Sequence, residues 1–321
     1  MRRLFITCLL ALAACTDSTA PIGREPTRGF VTVAADVKLE YIDYGGSGYP
    51  LVLLAGLGNT AHVFESFVPR LSGTYRVIAI TRRGFGASTQ ASYGYDTGTL
   101  AEDIRTVLDS LRLSRVHVVG HSLAGDEMTR LALDHADRIG KLVFLDAAYD
   151  RTALGALIAA HPFPAAPPPG GLDLVSSSAL GRYLARIRGI TLPDAEVRAT
   201  YTFDADGSVS GEVTPPEVLL ALLQGIEAPE WTRVRTPSLA VYAVPQDAGD
   251  VLPWLGAASP GWASAQRLIR DVYMPFYRHE RERFRASTSD SRVLELPGAN
   301  HYVFLSDPAR VAQAIRDFLG R

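Results

Sequence analysis

Four short apolar runs, at residues 51–54, 77–80, 116–119 and 142–145, constrain this chain more than any other feature of it. They are rich in Val, Leu and Ile and do not alternate with polar residues, so each strand is covered on both faces, as parallel strands are. Stretches of helical period lie between them, at 61–71, 99–111 and 123–135. In the second, Leu100, Ile104, Val107, Leu108 and Leu111 share one face while Glu102, Asp103, Arg105 and Asp109 lie elsewhere, which is one-sided cover for a sheet. This alternation predicts a doubly wound, mostly parallel α/β sheet. β-rich runs at 29–33 and 37–44 precede it; strands at 239–244 and 292–296 and a closing helix at 308–319 complete it.

The interval 147–235 breaks the alternation with a Pro-rich stretch at 162–169 and helical pieces at 180–187 and 216–226. It reads as a cap inserted between two parts of one core, residues 29–146 and 236–321. Residues 1–14 read as an export signal peptide, with Arg2 and Arg3 before a short apolar stretch. That stretch is too short to span a bilayer. It ends in Leu12-Ala13-Ala14-Cys15, which resembles the lipobox of bacterial lipoproteins. A lipid on Cys15 would hold the protein at the membrane surface of the bacterial cell envelope, with 15–28 as a flexible tether. Both cysteines of the chain lie in this region, so the body can form no internal disulfide.

The most specific local signal is Val118-Val119-Gly120-His121-Ser122-Leu123-Ala124-Gly125, where a buried strand runs directly into a helix. A serine at such a corner presents its hydroxyl at the carboxyl edge of the sheet, and the residues two before and two after must be small for strand and helix to approach. Gly120 and Ala124 meet that condition, although the usual form has Gly at the second place.

A serine hydroxyl is a weak nucleophile until a base takes its proton and a third group orients that base. Among seven histidines, His301 stands best, in Pro297-Gly298-Ala299-Asn300-His301-Tyr302 after the last strand, where Gly298 and Asn300 suit a tight turn. Three carboxylates compete as the third member. Asp247 follows the penultimate strand and is preferred; Asp146 ends the 142–145 strand, and Asp250 lies in the same loop as Asp247. Backbone donors for an oxyanion are expected from Leu123 and from Leu57 or Gly58 in the loop Ala55-Gly56-Leu57-Gly58-Asn59.

From about residue 33 to 319 the chain resembles the α/β-hydrolase superfamily, of the esterase and lipase-like kind with a cap. The resemblance implies a Ser122–Asp247–His301 triad with Leu57 and Leu123 as oxyanion donors. Thr81-Arg82-Arg83-Gly84-Phe85-Gly86-Ala87-Ser88 is similar to the family's D-x-R-G-x-G-x-S turn, with Thr81 in place of the Asp. Ala55 stands where a His often precedes the loop glycine, a departure that bears on how the loop is braced.

The expected function is hydrolysis of a carboxylic ester of small-molecule size, with an apolar acyl group, through an acyl-serine. Lactone opening, amide cleavage, carbon–carbon hydrolysis and cofactor-free haloperoxidation use the same triad, and a non-catalytic binding protein on this scaffold is the rival of another class. No cofactor is implied: no G-x-G-x-x-G follows the first parallel strand, and no residues carry metal-ligand spacing. A formal net charge of −2 over 321 residues leaves nothing to attract nucleic acid.

Overall fold

The computed structural model describes residues 25–287 and 290–320. The expected signal peptide, Cys15 and the tether up to residue 24 lie outside the described residues. Two strands, β1 (Thr27–Ala34) and β2 (Val37–Asp43), form an antiparallel hairpin, so the last two residues assigned to the tether are strand. There follow β3 (Pro50–Leu54), β4 (Arg76–Ile80), β5 (Val116–His121) and β6 (Ile139–Leu145), then a small hairpin, β7 (Tyr201–Phe203) and β8 (Val209–Glu212), and finally β9 (Ser238–Val244) and β10 (Ser291–Pro297). Eight of these make one sheet in the order β1-β2-β4-β3-β5-β6-β9-β10, parallel from β4 onward.

The order reverses between β3 and β5, and in open α/β sheets ligands bind beyond the carboxyl ends of the strands at such a switch point. Register makes that edge level. Leu54 pairs with Gly120, His121 with Leu145, and Leu145 with Val241. The residues just past β3, β5 and β6 therefore rise side by side, while β9 runs three residues further, to Val244.

Helices α1 (Thr97–Ser110) and α2 (Ala124–Asp134) cover one face of the sheet. The strands bury side chains alternately on the two faces. Val118 packs with Ile104, Val107 and Met128, while Val119 packs with Phe64, Phe67, Phe304 and Ile315 on the other. The helix expected over 61–71 forms two short 3₁₀ turns instead, Ala61–Phe64 and Val68–Arg70. Pro69 lacks the N–H an α-helix would use there, and the apolar spacing is satisfied anyway because Val63, Phe64, Phe67, Val68 and Leu71 are all buried.

Between β6 and β9 the chain leaves the sheet through α3 (Arg151–Ala160), α4 (Ser177–Arg188), α5 (Asp194–Thr200), the β7–β8 hairpin and α6 (Pro216–Gln224). Leu180, Leu184, Ile190 and Val197 join the cluster that covers the sheet, so this excursion is seated on the core. Val218 and Leu222 of α6 pack with Phe85, Tyr95 and Leu123.

After β9 come α7 (Ala248–Val251), α8 (Trp262–Leu268) and α9 (Met274–Ser287), the last two joined by a π-helical turn at Ile269–Tyr273. A short α10 (Val303–Ser306) and the closing α11 (Pro308–Leu319) end the fold. Among the described residues no helix is long and apolar enough to cross a membrane.

Candidate active site

Ser122 sits between β5 and α2 with φ of +52°, a left-handed conformation that a side chain adopts only when its surroundings enforce it. Its N–H donates to Leu145 O at 3.2 Å, and its carbonyl accepts from Gly125 N at 2.9 Å. The small residues around it have definite reasons. A Cβ on Gly120 would come within 2.1 Å of Met128 Sδ and 3.0 Å of Ala124 Cβ, and one on Gly125 would meet Ala147 O at 2.1 Å. Ala124 is therefore accommodated where the family usually has Gly, but a larger side chain there would collide with the strand. Gly125 is the position whose backbone contact admits nothing else.

His301 reaches this hydroxyl from the loop after β10, with Nε2 2.9 Å from Ser122 Oγ. Its Nδ1 lies 2.7 Å from Asp146 Oδ2. An Nδ1–H donated to that carboxylate leaves the Nε2 lone pair facing the serine. Asp146 itself has φ of +47°, lifted at the end of β6 as Ser122 is at the end of β5. Its other oxygen accepts from Tyr149 OH at 2.6 Å and Ala243 N at 3.1 Å, so the buried carboxylate is held in place. Burial first, and Asp146 second, push the Tyr149 phenol well above its ordinary pKa, which keeps it a donor.

This overturns the expectation for Asp247. Its side chain accepts from Gly249 N at 2.8 Å and caps α7. Asp250, one turn on, accepts from Gln246 N at 2.7 Å, although it lines the same cavity as Ser122. The reason is register. Asp146 immediately follows Leu145, level with His121, whereas β9 overshoots that level by three residues and Asp247 stands three further on.

The loop that follows β3 runs against the serine, since a Cβ on Gly56 would touch Ser122 Cβ at 3.0 Å. Where a His was missing at position 55, Arg82 supplies the brace. Its Nη2 donates to Ala55 O at 2.8 Å and its Nη1 to Gly56 O at 3.4 Å, while Nε is ion-paired with the buried Glu127. In a trans peptide C=O and N–H point in opposite directions, so fixing the Gly56 carbonyl toward Arg82 turns the Leu57 N–H the other way. Among the described residues, no intramolecular acceptor takes the Leu57 or the Leu123 N–H. Gly58 has φ of +76°, a turn glycine.

A second set of contacts ties this loop to the excursion. Buried Glu196 of α5 accepts from Asn59 Nδ2 at 2.9 Å, from Thr60 N at 3.0 Å and from Thr60 Oγ1. Burial raises its pKa, and the donors from Thr60 and Asn59 oppose that rise. Asn59 Oδ1 in turn accepts from Tyr302 OH at 3.0 Å, next to His301. Thr81, in place of the family's Asp, accepts from Ala61 N at 3.0 Å and donates to Glu40 Oε2 at 2.8 Å, so its contact is made by a hydroxyl.

His121 supports His301: its Nε2–H donates to His301 O at 3.1 Å and its ring lies 4.6 Å from the His301 ring. Complete burial, and then the neighbouring His301, hold its pKa well below the usual value, so it stays neutral. Sequence reasoning left Arg82, Glu127, Glu196 and Tyr149 out of the site; the arginine of the turn motif is Arg83, which pairs with Asp103 instead. A cavity of about 350 Å³ opens over Ser122, lined by the apolar or aromatic Tyr149, Leu154, Phe163 and Tyr277 and by the cations Arg151 and Arg188. Among the described residues no group of three His, Cys, Asp or Glu side chains could hold a metal ion.

Residues 49–195 match the family profile of the α/β-hydrolase fold. A soluble epoxide hydrolase of Corynebacterium sp. is 35% identical over 109 residues, 34% of this chain and 38% of that one. A putative non-heme chloroperoxidase of Synechocystis sp. is 38% identical over 122 residues, 36% of this chain and 44% of that one. The chain thus spans about two fifths of the length of the curated relatives it matches. The crystal structure of E-2-(acetamidomethylene)succinate hydrolase superposes with a TM-score of 0.64 at 22% identity, covering 92% of this chain and 99% of that one, a likeness of fold. With the switch-point sheet, the elbow and these matches, the chain has the α/β-hydrolase fold.

Proposed function

We propose that this protein is a serine hydrolase that cleaves a carboxylic ester through an acyl-Ser122 intermediate. The observation that carries the reading is the 2.9 Å approach of His301 Nε2 to a serine hydroxyl held at positive φ. In the first half-reaction Nε2 takes the hydroxyl proton as Oγ attacks the ester carbonyl carbon. The imidazolium so formed is stabilised by Asp146, and it returns the proton to the departing alkoxide as the C–O bond breaks. Water then gives a proton to Nε2 and attacks the acyl-serine, releasing the acid and restoring Oγ–H. The N–H groups of Leu57 and Leu123 are the donors for the oxyanion in both steps.

The serine at position 122 favours this chemistry over epoxide opening: a serine that attacked an epoxide would be left as an ether with no carbonyl for water to attack, whereas its acyl ester is resolved by water at the carbonyl carbon. The test is turnover of p-nitrophenyl esters of rising acyl length. The wild-type chain is expected to hydrolyse short members, and Ser122→Ala to lose at least about 10⁴-fold while remaining folded. A Ser122→Ala variant with wild-type turnover contradicts the reading.

A further inference from the structure

The cavity over Ser122 holds two guanidinium groups of very different status. Arg151 is committed: its Nη1 donates to Asp126 Oδ1 and Oδ2 at 3.2 Å and to Ala147 O at 3.0 Å. Arg188 is not. Among the described residues its one side-chain hydrogen bond is from Nη1 to the Tyr302 hydroxyl at 3.3 Å, and no carboxylate lies within 4.0 Å of its nitrogens. Three carboxylates share cavities with it, Asp146 and Asp250 beside Ser122 and Glu212 in an adjoining one, and none pairs with it.

Arg188 closes α4, where a cation complements the helix dipole whichever way its side chain points. Arg186 in the same turn shows the alternative outcome: it is exposed and paired with Asp173 at 2.7 Å. Arg188 instead lines the cavity, partly buried, on a backbone fixed by Asn300 Nδ2 donating to Arg188 O at 2.7 Å. Asn300 is the residue before His301, and Tyr302 the one after, so Arg188 is tied to that loop through its backbone carbonyl and through its guanidinium. A fork of donors with no carboxylate partner suits a planar anion.

We propose that Arg188 binds a carboxylate of the substrate, so that the ester cleaved at Ser122 is a half-ester of a dicarboxylic acid. This narrows the expected apolar acyl group: Leu154, Phe163 and Tyr277 cover the methylene part while Arg188 takes the far end. It rests on the Ser122 reading only for where the ester carbonyl lies.

The test is therefore binding, measured by calorimetry in the Ser122→Ala chain so that it reads whether or not turnover is found. The ligands are the monomethyl esters of malonate, succinate, glutarate and adipate, each against a neutral methyl ester of the same length. At least one half-ester is expected to bind about 10- to 100-fold tighter than its neutral partner, the range for a hydrogen-bonded charge. Arg188→Met should abolish that preference and Arg188→Lys keep part of it. In the Arg188 chain the preference should also shrink as salt rises. No preference at any length, or one that survives Arg188→Met or is indifferent to salt, overturns the proposal and leaves the hydrolase reading standing.

Discussion

Asp146 Oδ2 and His301 Nδ1 lie 2.7 Å apart across 155 residues of chain, and the carboxylate comes from the strand next to the one that carries Ser122. The arrangement follows from sheet register: β3, β5 and β6 end level, so the loop of Gly56, the serine and the acid emerge along one edge, and the loop after β10 needs only to fold back over it.

Exchanging the two competing carboxylates for amides separates them. Asp146→Asn should lower kcat roughly ten-thousand-fold, because an amide can hold the imidazole in the wrong tautomer. Asp247→Asn should leave turnover within about threefold of wild type, since Asn caps a helix as well as Asp does. Steady-state rates on one p-nitrophenyl ester read both, and the reverse ranking would move the acid to β9.

The strain at the elbow is measurable without any substrate. Ser122→Gly should be more stable than Ser122→Ala by about 1 kcal/mol in chemical denaturation, since glycine alone enters the left-handed region freely. Equal stability of the two variants would mean that the corner stores no strain.

Glu196 is the excursion's buried grip on the loop after β3. Glu196→Gln replaces one acceptor oxygen by a donor facing Asn59 Nδ2 and Thr60 N. A loss of about 1–3 kcal/mol in unfolding free energy is expected, the cost of buried donors left without an acceptor. An unchanged denaturation midpoint would show that the loop is held by Arg82 alone.

His117 gives the fold a dependence on acid. Burial, then Lys141 and Arg115, lower its pKa from 6.5 to about 4. The unfolded chain therefore takes up a proton below pH 6.5 that the folded chain refuses until about pH 4, so this contribution is intact above 6.5 and is lost as pH falls. Allowing for solvent screening of a partly exposed ring packed on Tyr49, the loss is about 1 kcal/mol at pH 5. His117→Gln should flatten the stability profile between pH 7 and 5 by that amount; a slope identical to wild type would remove His117 as its source.

The sheet, the elbow and the approach of His301 to Ser122 were legible because each has a local signature: buried strands do not alternate, the serine sits between a strand and an amphipathic helix, and His301 follows a Gly-containing turn. The contact of Asp146 with His301 was not, because Asp146 and Asp247 both follow apolar strands and only pairing register tells which is level with Ser122. Arg82 and Glu196 escaped for a related reason. Their partners are a carbonyl pair on another loop and side chains 136 and 137 residues away, contacts that no period in the sequence encodes. At 61–71 the apolar spacing was real and the helix was not, since Pro69 permits burial without α-helical bonding.

Activation of Ser122 by His301 is tested most directly by a fluorophosphonate probe followed by peptide mass mapping. One adduct is expected, on Ser122, formed by the wild-type chain and lost in a folded His301→Ala variant. A wild-type chain that stays unlabelled, or that carries the adduct on another residue, would contradict the assignment of this serine as the nucleophile.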